Sequence, residues 1–512
     1  VSRPHVVVIG AGVGGLSAAI HLARRGMRVT VVEKNATPGG RLGSYERDGH
    51  VFPTGPTLLI MPLLYRSELA ALGADLDADL QPQRVDPSYR IVFDDGERLD
   101  MTSDLAALSA QLDAMEPGAS GGLLRYLDEG RRHYHLGMPR LVERDFRRAR
   151  DFFRPANAAL MFQVHALAPH YRHMSAFFDS PRLRAAFTFQ DVYMGLSPFH
   201  APATFSLTPY SELAHGVWYP RGGMTRLTDV LVGLAEEAGV EIVCGEPVQR
   251  IEVAGSVAQG VVLADGRLLA ADVVLANADL PYVYRDLLPA GPADRLAAAA
   301  VSRRRFAGSA ISFFWALDRP VPQLGPHTLV LADDYRENFD RIDRNEPLPD
   351  LPSVYLHAPA RLDPAAAPPG RDTVVAVVPT GHMAYDGRDP ARQAREAETW
   401  DVARRRAREA VLARLALLGV ADVDAHLLHE GTATPLTWRS EHNLVRGATH
   451  GLAHTVTQLA YLRPHNRHAR YRNLYFAGAS THPGTGVPTA LVSGRLAAER
   501  IADEQQAAAP AG

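Results

Sequence analysis

The sequence predicts a two-lobed α/β fold in which a Rossmann-like parallel sheet is assembled from separated pieces of chain and interrupted by a mixed α+β region. Three observations carry this prediction. The apolar run Val6–Ile9 leads into GAGVGG, then LSAAIHLARRG, then MRVTVVEK, which is the strand, glycine turn, helix, strand order of a βαβ unit. Strand-like segments recur in the middle (VEIVCGEPVQRIEV, GVVLADGRLLAADVVLANA) and near the end (NLYFAGA). Between them lie two insertions without βα regularity.

In chain order, residues 1–80 form the first piece of the sheet domain. Within 81–215, the DDG turn in Ser88 to Leu99 predicts a hairpin, and Leu105 to Phe178 has a helical pattern broken at Pro139, Pro155 and Pro169. Residues 216–300 return to the sheet domain, with a helix between Gly223 and Gly239 and strands joined by ADG. A second mixed region fills 301–445, and 446–505 supplies the last strand and a closing helix over Val487 to Ala502. The proline-rich stretch Pro364 to Pro369 is expected to be a solvated loop and 506–512 a disordered tail.

Composition narrows the function. Hydrophobic residues make up 46% and charged residues 22% of 512, an ordinary globular profile. A net charge of −3 gives no field for nucleic acid, so no such partner is expected. The single cysteine, Cys244, excludes an internal disulfide and a cysteine-rich metal centre, and no metal site is expected. No apolar run approaches the ~18–20 residues of a spanning helix, and the N-terminal run passes straight into the glycine motif and not a cleavage site. These features point to the cytoplasm or to peripheral attachment on the inner membrane surface.

Gly10, Gly12 and Gly15 form G-x-G-x-x-G between strand and helix, where absent side chains let a pyrophosphate reach the helix N-terminus. Ala19 and Gly26 follow at helix-packing positions, and Glu33 ends the second strand, placed to accept from the hydroxyls of an adenosine ribose. A ligand-free glycine turn is the plain alternative. Three further pieces favour FAD over NAD. Gly39 and Gly40 allow close backbone passage and Arg41 supplies a fixed cation. FPTGPT (52–57) adds a second glycine turn. A helix starting near Val487 to Thr489, with Pro488 suited to its first turn, offers a positive end to a reduced flavin; the alternative is a terminal helix merely packed on the sheet.

The N-terminal 40 residues, with the GGR at Gly39–Arg41, are similar to the FAD-dependent amine oxidase and phytoene desaturase superfamily. FPTGPT, GVWYPRGGMTRL (216–227), VVLANAD (273–279), YLRPHNR (461–467) and NLYFAGASTHPGTGVP (473–488) resemble the bacterial-type phytoene desaturases. The resemblance implies a p-hydroxybenzoate-hydroxylase-like FAD domain, a substrate domain and a helical membrane-contacting region. It also implies FAD contacts at Gly10, Gly12, Gly14, Gly15, Glu33, Lys34, Gly40, Arg41, Gly55, Pro56, Thr57, Val248, Asn277, Gly478, Ala479, Val487 and Pro488. After THPGTGVP the chain reads TALVSGRLAA, less glycine-rich than a carotenoid enzyme leads one to expect, which leaves the particular substrate open.

The implied reaction is desaturation of a long hydrophobic isoprenoid, with a hydride passing to flavin N5 and a proton leaving the adjacent carbon. Asp145 and Arg148, three apart and hence neighbours if helical, are the implied acid–base or positioning pair, against a surface ion pair as the plain reading. His482 is expected to border cofactor or substrate, or else to be structural. Arg140, Arg144, Arg147, Arg148 and Arg150 mixed with Leu141, Phe146, Phe152 and Phe153 fit a helix in a headgroup layer, or a plain surface helix. An amine oxidase is disfavoured because the only lysine, Lys34, falls by the adenosine. A non-catalytic flavoprotein and an oxidoreductase or isomerase of another lipid or natural product complete the alternatives. Step number, substrate length, electron acceptor and oligomeric state are not legible.

Overall fold

The computed structural model describes residues 3–508. One lobe is built on a five-stranded parallel sheet in the order Leu474–Phe476, Val273–Ala276, His5–Ile9, Arg28–Val32, Glu241–Val243. Its strands come from the start, middle and end of the chain. His5–Ile9 is central, and its side chains alternate between two cores. Val6 and Val8 pack with the helices Val13–Arg24, Arg226–Glu237 and Val487–Ala508, while Val7 and Ile9 pack with the antiparallel strands Val248–Ala254 and Val257–Leu263. Burial on both faces is why this strand reads as an unbroken apolar run.

The second lobe is a seven-stranded sheet in the order Leu427–Ala433, Ser309–Leu317, Asp372–Thr380, Val354–His357, His327–Val330, Tyr89–Val92, Arg98–Met101. All pairings are antiparallel except His327–Val330 with Tyr89–Val92. The predicted hairpin is therefore this sheet's edge. On one face, Ile311, Phe313 and Trp315 share a core with Trp400, Ala407 and Val411 of the long helix Pro390–Leu417. The alternate residues Ser312 and Phe314, with Val375 and Val377 of the next strand, face a cavity between the lobes.

The helical region differs from expectation in one respect. Helix Ala119–Gly137 passes into a π turn, Met138–Val142, and the chain is not helical from Glu143 to Arg148. Pro139 in that turn has no N–H to continue the ladder. The expected helix over residues 138–153 is thus replaced by a π turn, an extended segment and the short turn Ala149–Phe152. Pro155 opens the helix Pro155–Gln163 and Pro169 caps His170–His173, so each predicted break falls at an element boundary.

Two loop expectations are corrected. Ala366 and Ala367 are buried, because Asp363 caps Ala365 N and the Thr373 hydroxyl donates to the Ala366 carbonyl. The closing helix runs to Ala508, past the predicted start of a tail at 506, and 509–512 lie outside the described residues.

Candidate active site

The glycine turn sets one end of the site. Gly10 adopts φ +96°, and a Cβ built on Gly15 would lie 2.2 Å from the Gly10 carbonyl oxygen, so strand and helix can meet this closely only with glycine at both positions. Asn277 fills the space beside the turn. A Cβ on Gly12 or Gly14 would lie 2.9 or 2.8 Å from its amide, whose Nδ2 donates to the Ala477 carbonyl at 3.0 Å. The helix beginning at Val13 opens toward the cavity with N–H groups that have no intrahelical partner.

Glu33 is 5% exposed and accepts from Ala11 N at 2.8 Å and Asn35 N at 2.9 Å. Two bonds fix the carboxylate and leave acceptor capacity toward the cavity that it lines. Val248 lines the same end beside Pro247. Lys34 donates to the Ser440 carbonyl at 2.8 Å and to Asn443 Oδ1 at 3.1 Å, tying this end to the opposite segment. Cys244 is half-buried and lies outside the cavity lining.

Gly40, at φ +59°, passes close to Gly12, and Gly55 crosses so near Arg41 that a Cβ would lie 1.9 Å from the Arg41 carbonyl oxygen. The Arg41 guanidinium donates to the Thr449 carbonyl; burial pushes its pKa down, with the Asp279 charge opposing. Asp279 accepts from Ser480 Oγ at 2.6 Å and Val445 N at 3.1 Å, and burial pushes its pKa up. Pro56 and Thr57 also line the cavity. Thr57 Oγ1 lies 2.5 Å from Tyr355 Oη, which lies 2.7 Å from His327 Nδ1 in the sheet lobe.

At the C-terminal motif, Gly478, Ala479 and the first turn Val487–Ala490 line the cavity. The turn is held from behind. Arg463, 1% exposed, donates to the carbonyls of Thr481, Ala453, Gln458, Leu452 and Ala479, while Asn466 Nδ2 reaches Phe476 O, His482 O and Ser493 Oγ. The RPHN motif is therefore a brace whose cation is satisfied by carbonyl oxygens. Burial pushes the Arg463 pKa down to about 9.

The three residues singled out for catalysis do not line the cavity. Asp145 and Arg148 fall in the extended segment and do not form the helical i,i+3 pair. Asp145 instead pairs with Arg147 at 2.8 Å and faces Arg500 of the closing helix at 3.8 Å, while Arg148 is exposed. His482 is buried, and its Nε2 donates to the Arg144 carbonyl at 2.8 Å. It joins the extended segment to the glycine-rich turn, and burial pushes its pKa down to about 4.

The cavity holds about 600 Å³ and continues from the glycine turn past Val487 into the sheet lobe. There its walls are mostly apolar, with Leu329, Phe339, Val375 and Val377 beside Tyr193 and Tyr335 and the polar Gln190, Asn338 and Ser353. It also reaches Ile60, Met61, Met138 and Val142 at the π turn. His442 and His450, near Arg41, have pKa values pushed down to about 4 by burial first and the Arg41 charge second, and so remain neutral at pH 7. The wall residues of the sheet lobe and the Thr57–Tyr355–His327 chain were not legible in the sequence, because a strand's inward face depends on register. Asp279 closes the VVLANAD block, and that was its one available signal.

A family model described as flavin containing amine oxidoreductase matches residues 13–502. The chain is 40% identical over 516 residues to a phytoene desaturase of Fusarium fujikuroi, covering 98% of this chain and 89% of that protein. It is 38% identical to a zeta-carotene-forming phytoene desaturase of Myxococcus xanthus, covering 97% and 93%. Among solved structures, an oxidoreductase from Methanosarcina mazei superimposes with a TM-score of 0.61 at 17% identity over 97% of this chain and all (100%) of that one, a likeness of fold.

Proposed function

The chain belongs to the flavin containing amine oxidoreductase family, and from that premise we propose that it desaturates a long hydrophobic isoprenoid, phytoene or a close relative, using FAD. The carrying observation is the cavity itself, which joins a dinucleotide cradle to a long apolar compartment without a break. The cradle fits the cofactor: Gly10, Gly12 and Gly14 line the cavity with bare backbone, Glu33 offers a fixed acceptor, and two helix N-termini open into one volume.

In this reading the glycine turn and Val13 hold the pyrophosphate, Glu33 the ribose and Val248 the adenine. Lys34 stands at the adenosine end beside Glu33, and Gly40, Arg41, Gly55, Pro56, Thr57, Asn277, Gly478, Ala479, Val487 and Pro488 would enclose the remainder. Bound FAD supplies the two-electron acceptor that a desaturation requires. The protein's own part is to exclude water and align an apolar chain, since such a substrate has no polar handle. Lys34 is committed to Ser440 and Asn443, which leaves no lysine for the reactive end and speaks against amine oxidation. Asp145 and His482 act by position: they hold the segment between the π turn and the closing helix. Arg148 lies on the exposed face and meets lipid headgroups.

Anaerobic titration of the FAD-loaded protein with liposomal phytoene, followed by chromatography of the extracted lipid, tests the proposal. Bleaching of the flavin band with formation of longer polyenes is expected. Flavin that stays oxidised with phytoene recovered intact would transfer the fold and cofactor to another lipid or natural product.

A further inference from the structure

Away from the cavity, helix Ala119–Gly137 carries Glu129 and His133 four residues apart on one face, both buried at 8% and 0% exposure. Two further histidines approach them. His165, in the left-handed region at φ +48°, follows helix Pro155–Gln163, and His173 ends the turn His170–His173. His133 Nε2 lies 3.3 Å from His165 Nδ1, which lies 3.7 Å from Glu129 Oε2. His133 Nε2 is 3.9 Å from Glu129 Oε1, and His173 Nε2 is 2.5 Å from that same oxygen. Ligands at ~2.0–2.1 Å from a tetrahedral ion stand roughly 3.3–3.4 Å from one another. The separation between the two imidazole nitrogens matches that spacing, and those from the carboxylate to His165 and His133 exceed it by about 0.3–0.6 Å.

The surroundings also suit an ion. His133 Nδ1 lies 2.7 Å from the hydroxyl of the buried Ser206. With that hydroxyl accepting, the lone pair sits on Nε2 and points into the cluster, the tautomer a ligating imidazole needs. The His165 side chain is 39% exposed, which gives an ion a path from solvent. None of the four residues lines the cavity, so this site is separate from the proposed flavin and substrate site.

We propose that Glu129, His133 and His165 form a binding site for a divalent transition metal, with His173 holding the carboxylate from behind and Zn2+ the best match to two imidazoles and one carboxylate. Three protein ligands leave the fourth position to water. The ion would clamp helix Ala119–Gly137 to the segment carrying the exposed side chains of Phe162 and Leu167. His173 keeps its hydrogen bond to Glu129, the outer partner that orients a ligating carboxylate. The expectation of no metal rested on the single cysteine, and the three residues are brought together from two separate segments of chain. The competing account is a metal-free hydrogen-bonded cluster.

The test uses the FAD-loaded protein, free of any polyhistidine tag and dialysed against a chelator, titrated calorimetrically with ZnCl2. One zinc per chain is expected. Affinity should fall at least about tenfold in His165→Ala and in His173→Ala, and stay unchanged in His200→Ala, an exposed histidine paired with Asp343. Flavin content equal to that of the parent shows that a variant has folded; Glu129→Gln, which keeps the shape and removes the charge, replaces any histidine variant that does not. A titration without a stoichiometric site, or one unmoved by both substitutions, overturns the metal site in favour of the hydrogen-bonded cluster.

Discussion

Glu212 shows how a single buried side chain can make the fold sensitive to pH. It is 1% exposed on helix Leu207–His215, and accepts from Tyr89 Oη at 2.6 Å and Gln190 Nε2 at 3.1 Å. Its other oxygen has no partner, and burial pushes its pKa from 4.5 up to about 7 against the pull of those two donors. A carboxyl raised on folding stabilises the folded state fully below its unfolded value, and that stability is lost as pH rises through the folded value. Between pH 4.5 and 7 the parent should therefore lose stability relative to Glu212→Gln, by at most about 1.4 kcal/mol per pH unit. Thermal melts of both proteins across that range measure it, and parallel curves would show that Glu212 is ionised throughout. Sequence could not expose this residue, since nothing in LTPYSELAH marks the glutamate as buried. Glu33 was legible because its position after the second strand of a βαβ unit is itself the signal.

At the scale of elements, two glycines on helices make opposite predictions. Gly15→Ala places a methyl 2.2 Å from the Gly10 carbonyl oxygen, so helix Val13–Arg24 must move away from the strand that positions the cradle. Purified Gly15→Ala should carry markedly less flavin than the parent, read from the ratio of flavin to protein absorbance. Gly233, inside helix Arg226–Glu237, has open space where a Cβ would go, and Gly233→Ala should stabilise by about 0.5–1 kcal/mol with full flavin content. Equal flavin in both variants would remove the packing role from Gly15. The βαβ unit, the middle strands and the closing helix were all readable because short apolar runs and glycine turns are local signals. The seven-stranded sheet was less so: its hairpin edge and its centre are separated by more than two hundred residues, and no local pattern announces their pairing. The extended segment at 143–148 escaped because periodicity continued where Pro139 had already broken the ladder.

Over the whole molecule, access to the apolar compartment is the remaining physical problem. No helix among the described residues is long and apolar enough to cross a membrane, yet a long isoprenoid of the proposed kind has no polar handle and partitions into lipid. The cavity reaches Met138 and Val142 at the π turn, and the chain just beyond carries Phe153, Phe162 and Leu167 at 63%, 81% and 72% exposure. Arg150 and Arg154 are exposed beside them, the pairing of apolar tips with cations that suits a headgroup layer. Burying a Phe or Leu side chain is worth about 1.5–3 kcal/mol. Phe162→Ser with Leu167→Ser should therefore weaken partition onto anionic vesicles by at least about tenfold. Flavin content should be unchanged, because neither side chain lines the cavity. Turnover of liposomal phytoene should fall in step, while turnover of phytoene dispersed in detergent micelles stays at the parent level. A loss in both media would assign the two residues to the fold, and partition equal to the parent's would overturn a membrane contact through them.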